Sequence, residues 1–152
     1  MKMMTLAAVA LAFSPVAFAA KETKNSLNII EARIFAPLKG SSATAGYGTF
    51  TNTTGKEVAV TIEKVEPFKA VEMHETIEKE GRMAMQKVEK LTIPAKGSVD
   101  LKPGGNHIML FDPIREVKAD ETLKVTFKVN GKSETYDFKV IPRVKPEGHH
   151  HH

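Results

Sequence analysis

Leu123, Val125, Phe127 and Val129 alternate with lysines and threonines up to Asn130-Gly131, and Tyr136, Phe138 and Val140 alternate on the way back. An apolar residue at every second position suits a half-buried strand, and Asn-Gly supplies the positive backbone angles of a type I′ hairpin turn. A lone hairpin is marginal in water, so the rest of the chain must contribute further strands. Short extended runs are predicted at 27–35, 45–53, 57–65, 69–77, 83–93, 98–101 and 106–111, each bounded by Pro, Gly or charged turn residues. Gly46 and Gly48 within the second run point to a bulge or a close backbone approach. Residues 114–121 read as a polar connection with room for one helical turn.

No stretch sustains helical periodicity. Eight or nine short strands separated by turns predict an all-β protein, an antiparallel Greek-key β-sandwich of cupredoxin-like or immunoglobulin-like type. The 152 residues suffice for one such domain. Lys2, an apolar run at 6–13 and the small-x-small pattern Ala17-Phe18-Ala19 read as a signal peptide over 1–19. The expected organisation is that leader, a single β-sandwich over 20–142 and a histidine-containing tail over 143–152, in a protein exported to a periplasm. The run His149–His152 reads equally as a native tail or as an affinity tag.

Cysteine is absent, which removes disulfides, CxxC redox pairs, thiolate nucleophiles and thiolate metal sites. The formal charge of +4 falls to +3 without the leader's lysine, and the basic residues are scattered with no tryptophan among them, so nothing resembles a nucleic-acid footprint. No Ser-His-Asp motif supports hydrolysis, and the expectation is a protein that is not an enzyme.

One window stands apart. Residues 71–112 hold Met73, His74, Met83, Met85, His107 and Met109, whereas the remaining Met and His lie only in the leader and the terminal run. Methionine as core filler gives no reason for that confinement. Along a strand from 106, His107 and Met109 face one way, and Met83 and Met85 behave likewise on theirs; His74 lies on the adjoining extended run. Two imidazoles and two or more thioethers can therefore converge, with the Pro-Gly-Gly turn before His107 fixing their approach. Such donors without thiolate select a soft ion, and copper(I) is the soft ion an exported protein handles. A histidine tail is harder and suits Cu(II).

The spacing His74, ten residues, Met85, twenty-one residues, His107, one residue, Met109 reproduces the H-x10-M-x21-H-x-M signature of the PCuAC periplasmic copper chaperones. The words VEMHET, GRMAMQKV and IPAKGSVDLKPGGNHIMLFD are similar to that family too. The resemblance implies a cupredoxin-like sandwich that binds one Cu(I) through His74, Met85, His107 and Met109. It further implies delivery toward the CuA centre of cytochrome c oxidase, alongside a Sco-type protein. Met73 and Met83 match methionines common in the family and are expected to pack or to stand by as spare thioethers. Thr76 stands where many relatives carry another Met. A monomer is expected. The competing readings are a metal-free immunoglobulin-like interaction domain and a copper storage or tolerance protein.

Overall fold

Every predicted extended run forms strand, one of them split in two, in the computed structural model, which describes residues 24–143; the leader expected at 1–19 and the run 149–152 lie outside them. In chain order the strands are β1 (Leu27–Phe35), β2 (Ala43–Asn52), β3 (Val58–Val65), β4 (Phe68–Lys79), β5 (Arg82–Val88), β6 (Leu91–Ile93), β7 (Ser98–Leu101), β8 (His107–Pro113), β9 (Thr122–Val129) and β10 (Lys132–Ile141). Hydrogen bonding joins them in the order β5-β4-β8-β2-β1-β10-β9-β3-β6, with β7 alongside β2. This continuous sheet folds over so that its two halves face one another: Phe50 of β2 meets Phe127 of β9 edge-on at 5.2 Å. Ile34, Phe50, Ile108, Leu110, Phe127 and Phe138 fill the space between the halves and are fully buried. Burying those side chains is the main term that holds the halves together.

The β9–β10 hairpin turns at Asn130 (φ 49°) and Gly131 (φ 81°), as the Asn-Gly dipeptide requires. At Gly46 a Cβ would stand 3.2 Å from the Ile34 side chain, a tight contact that glycine avoids where β2 packs closely on β1. Three expectations are corrected. The run 83–93 is not one strand: β5 pairs with β4 whereas β6 pairs with β3, so the chain leaves one half of the sandwich for the other at Glu89-Lys90. The physical reason is burial, because Leu91 and Ile93 find their apolar surroundings only against the β3 side. The connection 114–121 contains bends and a turn rather than a helical turn, and Val117 alone reaches the core from it. Finally, β1 and β10 pair in parallel, an exception within an otherwise antiparallel sheet.

Two polar locks tie the edges of the core. Asn52 is fully buried; its amide donates to the carbonyls of Lys56 at 2.7 Å, Ile93 at 3.1 Å and Pro94 at 3.0 Å, while its oxygen accepts from the Thr54 amide and hydroxyl at 2.9 and 2.8 Å. On the other side, buried Glu134 accepts from the Ser26 amide and hydroxyl and from the Tyr136 hydroxyl. Burial first, then the Glu134 carboxylate, push the Tyr136 hydroxyl well above its ordinary range.

Asn52→Asp replaces the donor by an oxygen facing three carbonyls and is expected to cost on the order of 3 kcal/mol, read from the urea midpoint; a loss below about 0.5 kcal/mol would show that the lock is not needed. For Tyr136 the folded value lies above the unfolded one. Its contribution to stability is therefore complete below about pH 10 and is lost as pH rises further. Tyr136→Phe should accordingly flatten the decline of the urea midpoint above about pH 10. Equal slopes in the two proteins would contradict this.

Candidate metal centre

The hairpin between β4 and β5, turning at Glu80 and Gly81, sets Met85 opposite Thr76 and Lys87 opposite His74. On its other side β4 pairs with β8, so that His74 stands opposite His107 and Glu72 opposite Met109. Met109 in turn lies opposite Ala45 of β2. Residues directly opposite share a face. The outer face of this half therefore carries three rows: Met85 and Thr76; Lys87, His74 and His107; Glu72, Met109 and Ala45. The residues predicted as ligands on three segments share this face because those segments are three adjacent strands, β5, β4 and β8.

The turn before β8 is pinned as the sequence suggested. The Gly105 carbonyl accepts from the Thr76 amide at 3.3 Å and from Nδ1 of His107 at 3.0 Å, so one backbone oxygen fixes both the turn and the ring. The His74 and His107 rings pack with centroids 5.8 Å apart. A groove of about 300 Å³ opens beside them, lined by Thr76, Met85, Pro103, His107 and Met109 together with Ala45, Tyr47 and Arg143. Three of the four candidate ligands border it; His74 reaches the cluster through its contact with His107.

Burial separates the methionines. Met73 is 3% exposed, opposite Ile108 on the inner face, and serves as core filler. Met85 and Met83 are 64% and 66% exposed on the edge strand β5, Met83 lying one row further out opposite Glu78. His107 is buried and His74 nearly so.

Hydrogen bonding assigns the imidazole protons. Nε2 of His74 lies 2.7 Å from a Glu72 carboxylate oxygen, and Nδ1 of His107 faces the Gly105 carbonyl. Both partners accept, so each of those nitrogens donates. The lone pairs are left on Nδ1 of His74 and Nε2 of His107, and these two atoms are buried with no hydrogen-bond partner among the described residues. Two orphaned acceptors on adjacent rings are costly unless something fills them. The arrangement fits a metal that takes one nitrogen from each ring.

Glu72 was not singled out from the sequence, although its spacing of two from His74 places both on one face of β4. Its carboxyl is held below the ordinary carboxylate range by hydrogen bonds from His74 and then Lys87. Tyr47 carries no functional signal in the sequence, yet its ring sits 6.4 Å from that of His107. Arg33 lies over the Tyr47 ring at 5.5 Å and Arg143 over Phe35 at 5.7 Å, which makes this flank cationic. Burial raises the Tyr47 hydroxyl against the pull of Arg143 and Arg33.

The family model for "Putative lipoprotein LpqE-like" proteins matches residues 27–140. An uncharacterized protein of Rickettsia prowazekii (strain Madrid E) is 34% identical over 87 residues, 57% of this chain and 48% of that one. The chain spans about half the length of the curated relatives it matches, 48% of that protein and 54% of the "Putative lipoprotein Lxx21020" of Leifsonia xyli subsp. xyli (strain CTCB07). Among solved structures, the apo PCuAC domain of PmoF1 is similar with a TM-score of 0.65 at 19% identity, covering 78% of this chain and 96% of that domain. The solution structure of CuI-DR1885 from Deinococcus radiodurans is similar with a TM-score of 0.59 at 26% identity, covering 86% and 88%. Matched by the family model from its first strand to its last, and following the fold of solved PCuAC domains, the chain belongs to the LpqE-like family, of the PCuAC type.

Proposed function

We propose that this protein is a periplasmic copper chaperone that binds one Cu(I) through His74, Met85, His107 and Met109 and passes it on, toward the CuA centre of cytochrome c oxidase. The observation that carries the reading is the pair of buried, unpartnered nitrogens on adjacent rings, set beside thioethers on one face of three strands. Two imidazoles supply too few donors alone, and among the described residues no cluster of three or more His, Asp or Glu side chains is arranged to hold a metal. Sulfur must complete the set, and thioether sulfur favours a soft, monovalent copper ion. Relatives in fold include a copper-bound PCuAC domain and a Cu(I) form of DR1885, which supports copper as the cargo.

The role is carriage rather than catalysis: Met85 is open to solvent, so the metal remains accessible to an acceptor. On this reading the leader at 1–19 directs export, a Sco-type thiol protein is a partner, and the run 149–152 holds Cu(II). Among the described residues no helix is long and apolar enough to cross a membrane.

Titrating protein lacking residues 149–152 with Cu(I) against a competing chelator should give one tightly bound ion. His107→Gln and Met109→Leu should each weaken binding by more than the ~10–100-fold typical of changes outside the ligand shell. Met73→Leu, a volume-conserving change in the core, should leave the affinity within about threefold of wild type. Stoichiometric binding that survives both ligand variants would overturn the assignment, and absence of binding would favour the metal-free interaction domain.

Mild peroxide should convert Met85 to the sulfoxide before buried Met73, since reactivity follows exposure. Mass mapping of the oxidised protein should then show Cu(I) affinity lost while circular dichroism reports an intact fold. Full affinity with Met85 oxidised would count against thioether ligation there.

A further inference from the structure

Glu72 forms no part of the four-residue ligand set, yet it is the carboxylate that touches one of its members. One oxygen accepts from Nε2 of His74 at 2.7 Å, and the other accepts from Nζ of Lys87 at 3.2 Å. The three side chains come from neighbouring positions of the outer face, Glu72 and His74 two apart on β4 and Lys87 directly opposite His74 on β5. Its exposure, about one third of the side chain, would suit an ordinary surface ion pair. An ordinary pair, however, leaves no buried nitrogen orphaned at the far side of the ring, and here Nδ1 of His74 has no partner.

Resting on the copper reading above, we propose that Glu72 is a positioning residue: it holds His74 with the proton on Nε2, so that Nδ1 is the ligating nitrogen, while Lys87 keeps the carboxylate aimed at the ring. A half-turn of the imidazole would forfeit the bond to Glu72, so the carboxylate fixes the ring's rotation as well as its tautomer. Its negative charge also lies next to a site whose ligands are all neutral, and an anion behind the imidazole makes that ring a stronger donor to a cation. Lys87 occupies the second oxygen and so keeps Glu72 from swinging toward the metal as a fifth ligand. His107 needs no such partner, because the Gly105 carbonyl does the same service from the backbone.

The test uses the full chain, labelled with 15N, and two readouts. In metal-free wild type, long-range proton–nitrogen spectra should show His74 protonated on Nε2 with a slowly exchanging proton. Glu72→Leu should lose that protected proton and bind Cu(I) about 10–100-fold more weakly. Glu72→Gln, whose amide oxygen still accepts, should keep the proton and recover most of the affinity; Lys87→Met should fall between wild type and Glu72→Leu. If Glu72→Leu does not fold, the Gln and Met variants decide alone. A proton on Nδ1 in wild type would overturn the proposal, as would wild-type affinity in Glu72→Leu or equal losses in Glu72→Leu and Glu72→Gln. Failure of wild type to bind Cu(I) at all would instead overturn the copper reading and take this role with it. The two failures are thereby distinct.

Discussion

The register of β4 against β8 is the constraint on which everything on the outer face depends. Side chains alternate along a strand, so His74 and Met73 point to opposite faces, and the pairing of His74 with His107 and of Met73 with Ile108 sends the rings outward and the thioether inward. A slip of one residue would bury an imidazole among Ile108 and Leu110 and turn Met73 to solvent. Two things hold the register. The apolar inner row gains most of its energy only in this alignment. The Thr76 amide also reaches the Gly105 carbonyl across the top of the pair, which ties β4 to the turn that opens β8. The same carbonyl accepts from His107, so the fastening that sets the register also sets a candidate ligand.

That coupling explains which parts of the molecule could be read from the chain. Period-two alternation and turn chemistry located nearly every strand and the Asn130-Gly131 turn, because both are local properties of the residues. The placement of His74, Met85, His107 and Met109 on one outer face followed from alternation once the strands were adjacent. What alternation could not give was partnership across the sandwich. The break between β5 and β6 depends on where Leu91 and Ile93 find a buried surface, and the parallel β1–β10 pair depends on how the sheet folds over; neither leaves a local mark. Asn52 is similar, since its value lies in three carbonyls brought to it from Lys56, Ile93 and Pro94. Glu72 is different. Its spacing of two from His74 is plain in the sequence, but a glutamate on a strand that also carries Glu75 and Glu78 is ordinarily a solvated charge, and only its bonds to His74 and Lys87 set it apart.

The two flanks of the groove differ in charge. Glu72 stands behind His74 with its charge paired to Lys87, whereas Arg33 and Arg143 rest over Tyr47 and Phe35. On the copper reading, a cation held by neutral ligands keeps its full charge, so it is better placed beside the Glu72–Lys87 pair than toward the guanidinium flank. Near a surface these terms are softened by water and salt. They bias where a monovalent ion sits within the groove without making it captive.

Exposure carries the same asymmetry into the order of events. The two imidazoles are walled in, one by the Gly105 turn and one by Glu72, and an incoming ligand has little approach to them. Met85 sits on the edge strand β5 with most of its side chain exposed. Soft-ligand exchange needs the new donor to reach the metal before the old one leaves. On the copper reading the thioether of Met85 is therefore the ligand an acceptor displaces first, and the nitrogens let go last. On the same reading the site is closed at its two nitrogens, half-covered at Met109 and open at Met85, an asymmetry that suits handing a metal on rather than keeping it.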